Sequence, residues 1–138
     1  MAITDEVFLE QFENQTLSPD LFDHYGHLRL AWLYLNRYSL DEAIEKVTDG
    51  IALYARSLGA GDKFQRTLTE AIVRIMALRK ENGNTDTLRA YLAENRDLIE
   101  DIRAVVGAHY SSERLNSEAA RTRFVSPDLR PLDSVSVP

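Results

Sequence analysis

Residues 21–35 read LFDHYGHLRLAWLYL, and the rest of the chain is best understood around this stretch. At about 100° per residue, one face of a helix here carries five apolar or aromatic side chains: Leu21, Tyr25, Leu28, Trp32 and Leu35. Apolar residues also cover most of the remaining circumference. Such a helix is usually central and buried, so we expect its few polar members to lie inside the protein or against a partner.

The remaining sequence has the same helical pattern. Apolar residues recur at three- and four-residue spacing, and no alternating run is long enough to predict a strand. The predicted fold class is therefore all-α. Helices are expected over residues 5–13, 19–37, 40–58, 62–80, 86–93 and, behind an Asn95 cap, 96–109, with one or two further turns within 117–124.

Short-range signals mark several of these boundaries. Ser18 followed by Pro19 is typical of a helix start. Ser39 and Glu42 have the spacing of a capping box, and Gly59 is typical of a helix end.

The C-terminal part of the chain is predicted to be irregular. Residues 111–116 are expected to form a loop, and the prolines at 127, 131 and 138 make a further helix implausible. We predict one domain, a bundle of about five to six helices over residues 1–124, followed by an extended or disordered tail over residues 125–138.

Composition restricts the chemistry of the chain. Its 138 residues are 44% hydrophobic and 28% charged, which is typical of a compact soluble domain. The absence of cysteine excludes disulfides, cysteine-bound zinc and iron–sulfur clusters. The longest apolar run is far shorter than the roughly 20 residues that cross a bilayer, and the first residues lack the basic start of a signal peptide. A cytoplasmic protein without membrane attachment is expected.

The charge of the chain is unevenly distributed. The net charge is −6, and residues 1–61 hold 10 acidic but only 4 basic residues. Nucleic-acid binding needs a basic face that neutralises phosphates, and no stretch here gathers Lys and Arg without interleaved Asp or Glu. A nucleic-acid partner is therefore not expected, and neither is a membrane-surface helix.

His24 and His27 are the candidates for a metal site. Histidines three residues apart lie on one helical face and can approach one metal ion. Zinc or non-haem iron would need at least a third protein ligand. The candidates for that ligand are Glu13, Asp23, Glu70 and His109.

Two other interpretations of the histidines remain open. In the first, they are hydrogen-bonded structural residues, with Asp20 or Asp23 accepting from a ring nitrogen and Arg29 paired with a carboxylate. In the second, His27 acts as a general base without metal.

Gly26, beside His27, costs about 1 kcal/mol relative to alanine in a helix. This cost predicts close approach of another helix or a ligand, and Gly50 is expected to serve likewise. Local backbone flexibility is the other interpretation of Gly26.

The histidine stretch also resembles a family motif. The pattern F-D-H-x-x-H-L-R-x-A-W at residues 22–32 is similar to that of small bacterial all-helical proteins of unknown function. The resemblance continues at residues 50–51, 59, 63–67, 119–121 and 124–132. In that family a histidine and a glutamate often stand where this chain has Gln65 and Arg66. If the family binds metal, this member is therefore expected to keep only the bundle and a polar pocket, formed by Asp23, His24, His27, Arg29 and Gln65.

The sequence thus supports two function classes. The first is a non-catalytic module that associates with itself, as a homo-oligomer such as a dimer, or with another protein, and that holds a small-molecule pocket at His24 and His27. The alternative is a metal-binding protein or enzyme that uses these histidines.

Overall fold

A computed structural model describes residues 3–132. The regular secondary structure within this range is entirely helical, which confirms the predicted all-α class. No helix among the described residues has the length and apolar character needed to span a bilayer. The chain divides into two compact units, Met1–Phe64 (unit 1) and Gln65–Pro138 (unit 2).

Unit 1 contains three long helices. They are α1 (Asp5–Glu13), α2 (His24–Arg37) and α3 (Leu40–Ser57), with short 3-10 turns at Pro19–Leu21 and Gly61–Lys63. The prediction for α1 is confirmed, and its cap is Thr4, whose hydroxyl accepts from the Val7 amide at 3.2 Å. The predicted Ser39 cap is confirmed as well, because its hydroxyl accepts from the Glu42 amide at the start of α3. The Glu42 carboxylate accepts from that same hydroxyl at 3.1 Å. Gly59 follows that helix with a φ of +73°, the left-handed conformation expected of a closing glycine.

The prediction that the second helix begins at Pro19 is wrong. Ser18 caps only a single 3-10 turn, and Phe22 then leaves the helical conformation. Helix α2 begins after Asp23, which is its N-cap, because the Asp23 carboxylate accepts from the Gly26 amide at 2.9 Å. A Cβ on Gly26 would lie well inside van der Waals contact with the Leu21 carbonyl oxygen. The missing side chain of Gly26 thus makes room for the preceding 3-10 turn, and not for another helix or a ligand as predicted.

The core of unit 1 is aromatic. Phe12 of α1 is 2% exposed and packs against the rings of Phe22 and Tyr54, with centroids 5.3 and 5.8 Å away. A Cβ on Gly50 would lie 2.7 Å from the Phe12 ring, so this glycine lets α1 pack closely on α3, as expected. The buried Tyr54 hydroxyl donates to the Leu17 carbonyl at 2.7 Å. These contacts fix α1 against α3.

Up to residue 132, where the described range ends, unit 2 contains one long helix and five short ones. They are α4 (Arg66–Asn82), α5 (Leu88–Glu94), α6 (Asp97–Glu100), α7 (Ile102–Gly107), α8 (Ser112–Leu115) and α9 (Glu118–Thr122). The fourth helix therefore begins at Arg66 and not at Asp62, since residues 61–63 form a separate turn.

Two further predictions for unit 2 are wrong. The helix expected over residues 96–109 is broken at Asp101, whose φ of −153° is not helical, and Asn95 does not cap it. The Asn95 side chain instead donates to the Tyr91 carbonyl and accepts from Arg79. Residues 111–116, expected to be a loop, contain α8, which Ser111 caps. The apolar spacing runs on through Asp101, so it carried no signal of the break.

Residues 123–132 pack on the rest of unit 2. The Thr67 hydroxyl in the first turn of α4 donates to the Arg123 carbonyl at 2.7 Å and accepts from the Val125 amide at 3.1 Å. Tyr110 donates to the Val125 carbonyl at 2.6 Å. Asp128 accepts from the amide and hydroxyl of Ser111. Residues 125–132 of the predicted tail are thus hydrogen-bonded within unit 2, and residues 133–138 lie outside the described range.

Candidate functional site

The predicted polar residues of α2 lie at the start of that helix. The His27 ring stacks on Phe22 with centroids 4.0 Å apart, and its Nδ1 lies 2.8 Å from the Asp23 carbonyl oxygen. Burial lowers the pKa of His27 below its usual value, against a smaller opposing effect of that hydrogen bond. A neutral ring therefore donates from Nδ1 and keeps a lone pair on Nε2. His27 and His24, one turn earlier, are both half-buried.

Arg29 is committed to a structural contact. Its Nη2 donates to the Asp5 carboxylate at 2.8 Å and to the Ile3 carbonyl at 2.7 Å, and its guanidinium lies 4.5 Å from the centre of the Phe8 ring. The side chain is only 16% exposed. Arg29 therefore holds the beginning of α1 against α2 and is not directed to a ligand.

Gln65 belongs to unit 2. Its side-chain amide donates to the Leu115 carbonyl at 2.7 Å, and its buried Oε1 has no hydrogen-bond partner among the described residues. The structure thus places Gln65 in a different set of contacts from those of the α2 residues.

The proposed third metal ligands also have other partners. Asp23 caps α2, Glu70 pairs with Arg74 at 2.9 Å, and the ring of the buried His109 lies 3.0 Å from the Arg130 carbonyl. Among residues 3–132 no group of three His, Asp or Glu side chains has an arrangement that could hold a metal ion. The metal site at His24 and His27 stays a prediction.

A second candidate site lies between α1 and α3. A cavity of about 290 Å³ there contains the buried Phe12 ring, Gly50 and the side chain of Leu53, which is 44% exposed. Its other lining residues are Glu13, Gln15, Tyr34, Glu45, Lys46 and Asp49. An apolar floor is therefore surrounded by three carboxylates and one lysine.

An adjoining cavity of about 340 Å³ shares Glu13 and Tyr34 with the first. It is lined in addition by Glu6, Leu9, Glu10, Asn14, Arg37 and Tyr38. We call the two cavities together the acidic groove. They contain five carboxylates and two cationic side chains. Both cations have intramolecular partners, since Arg37 pairs with Glu6 at 2.5 Å and Lys46 lies 4.7 Å from the centre of the Tyr38 ring.

Tyr34 and Glu13 form the junction of the two cavities. The Tyr34 hydroxyl, on a side chain that is 2% exposed, donates to Glu13 Oε2 at 2.5 Å. Burial and the adjacent carboxylate raise the pKa of Tyr34 far above its usual value, so the hydroxyl remains a neutral donor. This hydrogen bond fixes the Glu13 carboxylate and leaves its Oε1 to accept from another donor.

The charge of unit 1 reinforces that of the acidic groove. Residues 1–64 contain 11 acidic and 5 basic residues, whereas residues 65–138 contain 11 of each. The whole net charge of the chain thus belongs to the unit that contains the groove.

Comparison of the chain with protein-family models, with curated proteins and with solved structures finds no match. The resemblance of residues 22–32 to small bacterial helical proteins accordingly stays a prediction.

Sequence reasoning missed the acidic groove. One signal was present, because acidic residues recur four apart on two helices, Glu6 with Glu10 and Glu45 with Asp49. Gly50 indicated close packing on α3 but not which helix would approach. The pairing of α1 with α3 is a tertiary fact, and the local pattern does not contain it.

Proposed function

We propose that this protein is a non-catalytic interaction module that binds another protein through the acidic groove of unit 1. The observation that carries the proposal is that the exposed Leu53 side chain and the buried Phe12 ring line one cavity bordered by carboxylates. Apolar centres with polar rims are typical of protein-binding surfaces. The fixed Glu13 carboxylate supplies a polar contact that can orient the partner.

The proposal retains the remaining expectations from the sequence. They are a cytoplasmic helical bundle with an extended tail, and association either with a partner or with a second copy. Of these two kinds of association, the excess of 11 acidic over 5 basic residues in unit 1 favours a different protein, since two copies of this unit repel each other.

Photo-crosslinking tests the proposal directly. A photoreactive phenylalanine analogue replaces Leu53 in one version of the protein and Ile99 of unit 2 in another, because both side chains are 44% exposed. In cells that produce the protein, we expect a discrete adduct from position 53 and none from position 99. Equal adducts from both positions, or none from position 53, would contradict the proposal.

A metal function at α2 has one observation in its favour. A histidine that binds a metal through Nε2 commonly donates its Nδ1 proton to a carbonyl, and His27 has this arrangement with Asp23. His24 lies on the same helical face.

The test of this second candidate is metal analysis of untagged protein by mass spectrometry. Near-stoichiometric zinc or iron that disappears in His24→Ala/His27→Ala would support it. No metal in the unsubstituted protein after metal-supplemented expression would reject it.

A further inference from the structure

We infer that the acidic groove takes a basic amphipathic segment of a partner protein, with an apolar side chain against Leu53 and a cationic side chain at Glu13. This inference rests on the proposed function and specifies the chemistry of the partner. Its basis is the combination of an apolar floor, an excess of carboxylates and one carboxylate held in a fixed position.

The floor of the groove selects an apolar side chain. Phe12 is fixed by its contacts with Phe22 and Tyr54, and Gly50, which packs closely on that ring, lines the same cavity. Leu53, which is 44% exposed, borders the same cavity. Because Phe12 is already buried, Leu53 is the side chain whose apolar area a partner would remove from water.

The carboxylates at the rim select positive charge. Glu6 with Glu10 on α1 and Glu45 with Asp49 on α3 are like-charged pairs four residues apart, a spacing that weakens a helix. Arg37 already pairs with Glu6, so a cationic partner relieves the repulsion that remains. It also experiences the attraction of the whole unit, whose net charge is −6.

Glu13 supplies the specific contact. Its Oε2 accepts from Tyr34, so the carboxylate does not have to be ordered again when a ligand arrives. An Arg or Lys side chain can donate to Oε1, a charge-assisted hydrogen bond that is stronger than a neutral one. Tyr34 and Glu13 line both cavities. A partner whose cationic side chain binds Glu13 can therefore place its neighbouring residues in the two cavities on either side.

Other classes of partner fit less well. Nucleic acids and anionic membranes carry the same sign of charge as unit 1 and are repelled by it. A second copy of the chain would offer either an acidic unit 1 or a unit 2 with no net charge. A basic amphipathic segment of a different protein can both contact the apolar Leu53 side chain and pair with the carboxylates of the groove.

The test uses the full chain and a synthetic helical peptide with leucines on one face and arginines on the other. Titration calorimetry compares the unsubstituted protein with Glu13→Gln/Glu45→Gln and with the matched control Asp20→Asn/Asp62→Asn. The control removes the same charge from unit 1 outside the groove. We expect Kd to rise about tenfold in the groove variant and less than about twofold in the control. Circular dichroism verifies that both variants fold.

The outcomes separate this inference from the proposed function. Equal weakening in both variants would show attraction by net charge alone and would overturn the inference, as would tighter or equal binding of a peptide with glutamines in place of the arginines. Groove-dependent self-association in light scattering would also overturn it. If the peptide does not bind but position 53 still cross-links to a partner, the inference fails and the proposed function stands. If position 53 yields no adduct, the proposed function itself fails.

Discussion

Gly26 illustrates how a single atom can determine where a helix begins. The absence of its Cβ admits the Leu21 carbonyl, and Asp23 accepts from its amide. In Gly26→Ala the clash is with backbone, which cannot rotate away, so we expect the free energy of unfolding to fall by about 1–3 kcal/mol. Urea denaturation measures the change.

The control for this prediction is Gly107→Ala. Gly107 is also helical, and a Cβ there meets no atom within 4 Å. Removing glycine from this position is expected to stabilise the protein by about 0.5 kcal/mol, because less backbone entropy is lost on folding. A larger loss at Gly107 than at Gly26 would refute the steric explanation.

His27 makes stability dependent on pH. Burial lowers the pKa of His27 in the folded protein below 6.5, the value of a solvated histidine, so the unfolded chain binds the proton more readily. Its contribution to stability is complete above pH 6.5 and is lost as the pH falls from there towards the lower pKa of the folded state. We expect the thermal midpoint to decrease between pH 7 and pH 5, and to decrease less in His27→Gln.

His24→Gln is the matched control, since it removes the neighbouring imidazole and keeps the stacked His27 ring. Because burial is the larger cause of the lowered His27 pKa, the decrease at low pH is expected to persist in this variant. Nuclear magnetic resonance titration of the His27 ring gives the same answer independently. A His27 pKa above 6.5 would reverse the sign of the prediction and reject it.

At the scale of the helix, two ion pairs join α1 to α2 in different surroundings. Arg29 is 16% exposed and contacts Asp5, the Ile3 carbonyl and Phe8, whereas Arg37 and its partner Glu6 are 40% and 76% exposed. Arg29→Gln is expected to lower the free energy of unfolding by about 1–3 kcal/mol. Arg37→Gln is expected to change it by less than about 0.5 kcal/mol.

Urea denaturation of both variants at one salt concentration makes the comparison. Amide hydrogen exchange in α1 should also accelerate in Arg29→Gln, because that arginine holds the start of the helix. Equal losses of unfolding free energy in the two variants would contradict the prediction. They would show that the charge of each arginine, and not its burial and hydrogen bonding, determines its contribution to stability.

Local signals identified helices better than their interruptions. Helix caps such as Thr4, Ser39 and Gly59 act through neighbours within a few residues. The two ends of α3, marked by Ser39 and Gly59, could therefore be predicted from the sequence. Pro19 was misleading, because a proline in the first turn fits a 3-10 turn as well as an α-helix. The break at Asp101 leaves the apolar spacing intact and could not have been predicted from it.

The candidate site was predictable only in part. A structural Arg29 paired with a carboxylate was among the interpretations, but its partner Asp5 lies 24 residues away and no local rule selects it. The acidic groove depends on the packing of α1 against α3 and on the Tyr34–Glu13 hydrogen bond, which spans 21 residues. Sequence therefore supplied the chemical groups and tertiary packing brought them together.

For the whole molecule, the location of all net charge on unit 1 predicts how fast a basic ligand associates. Long-range attraction speeds diffusional encounter and is screened by salt. The association rate of the arginine peptide should therefore fall several-fold as the salt concentration rises from about 20 to about 200 mM, while its dissociation rate changes less. Stopped-flow fluorescence measures both rates, with the glutamine peptide as control. A salt-independent association rate would contradict this prediction.

The bonds that Thr67 makes with Arg123 and Val125 have a consequence for synthesis on the ribosome. They join the first turn of α4 to positions 56 and 58 residues later, so the second unit cannot close until nearly all of its sequence has left the exit tunnel. By then every residue of α1, α2 and α3 has long been available for folding. A nonsense mutation just before codon 123 should consequently yield a truncated product with an intact acidic groove beside a stretch that cannot complete its own packing, a natural substrate for chaperones and proteases.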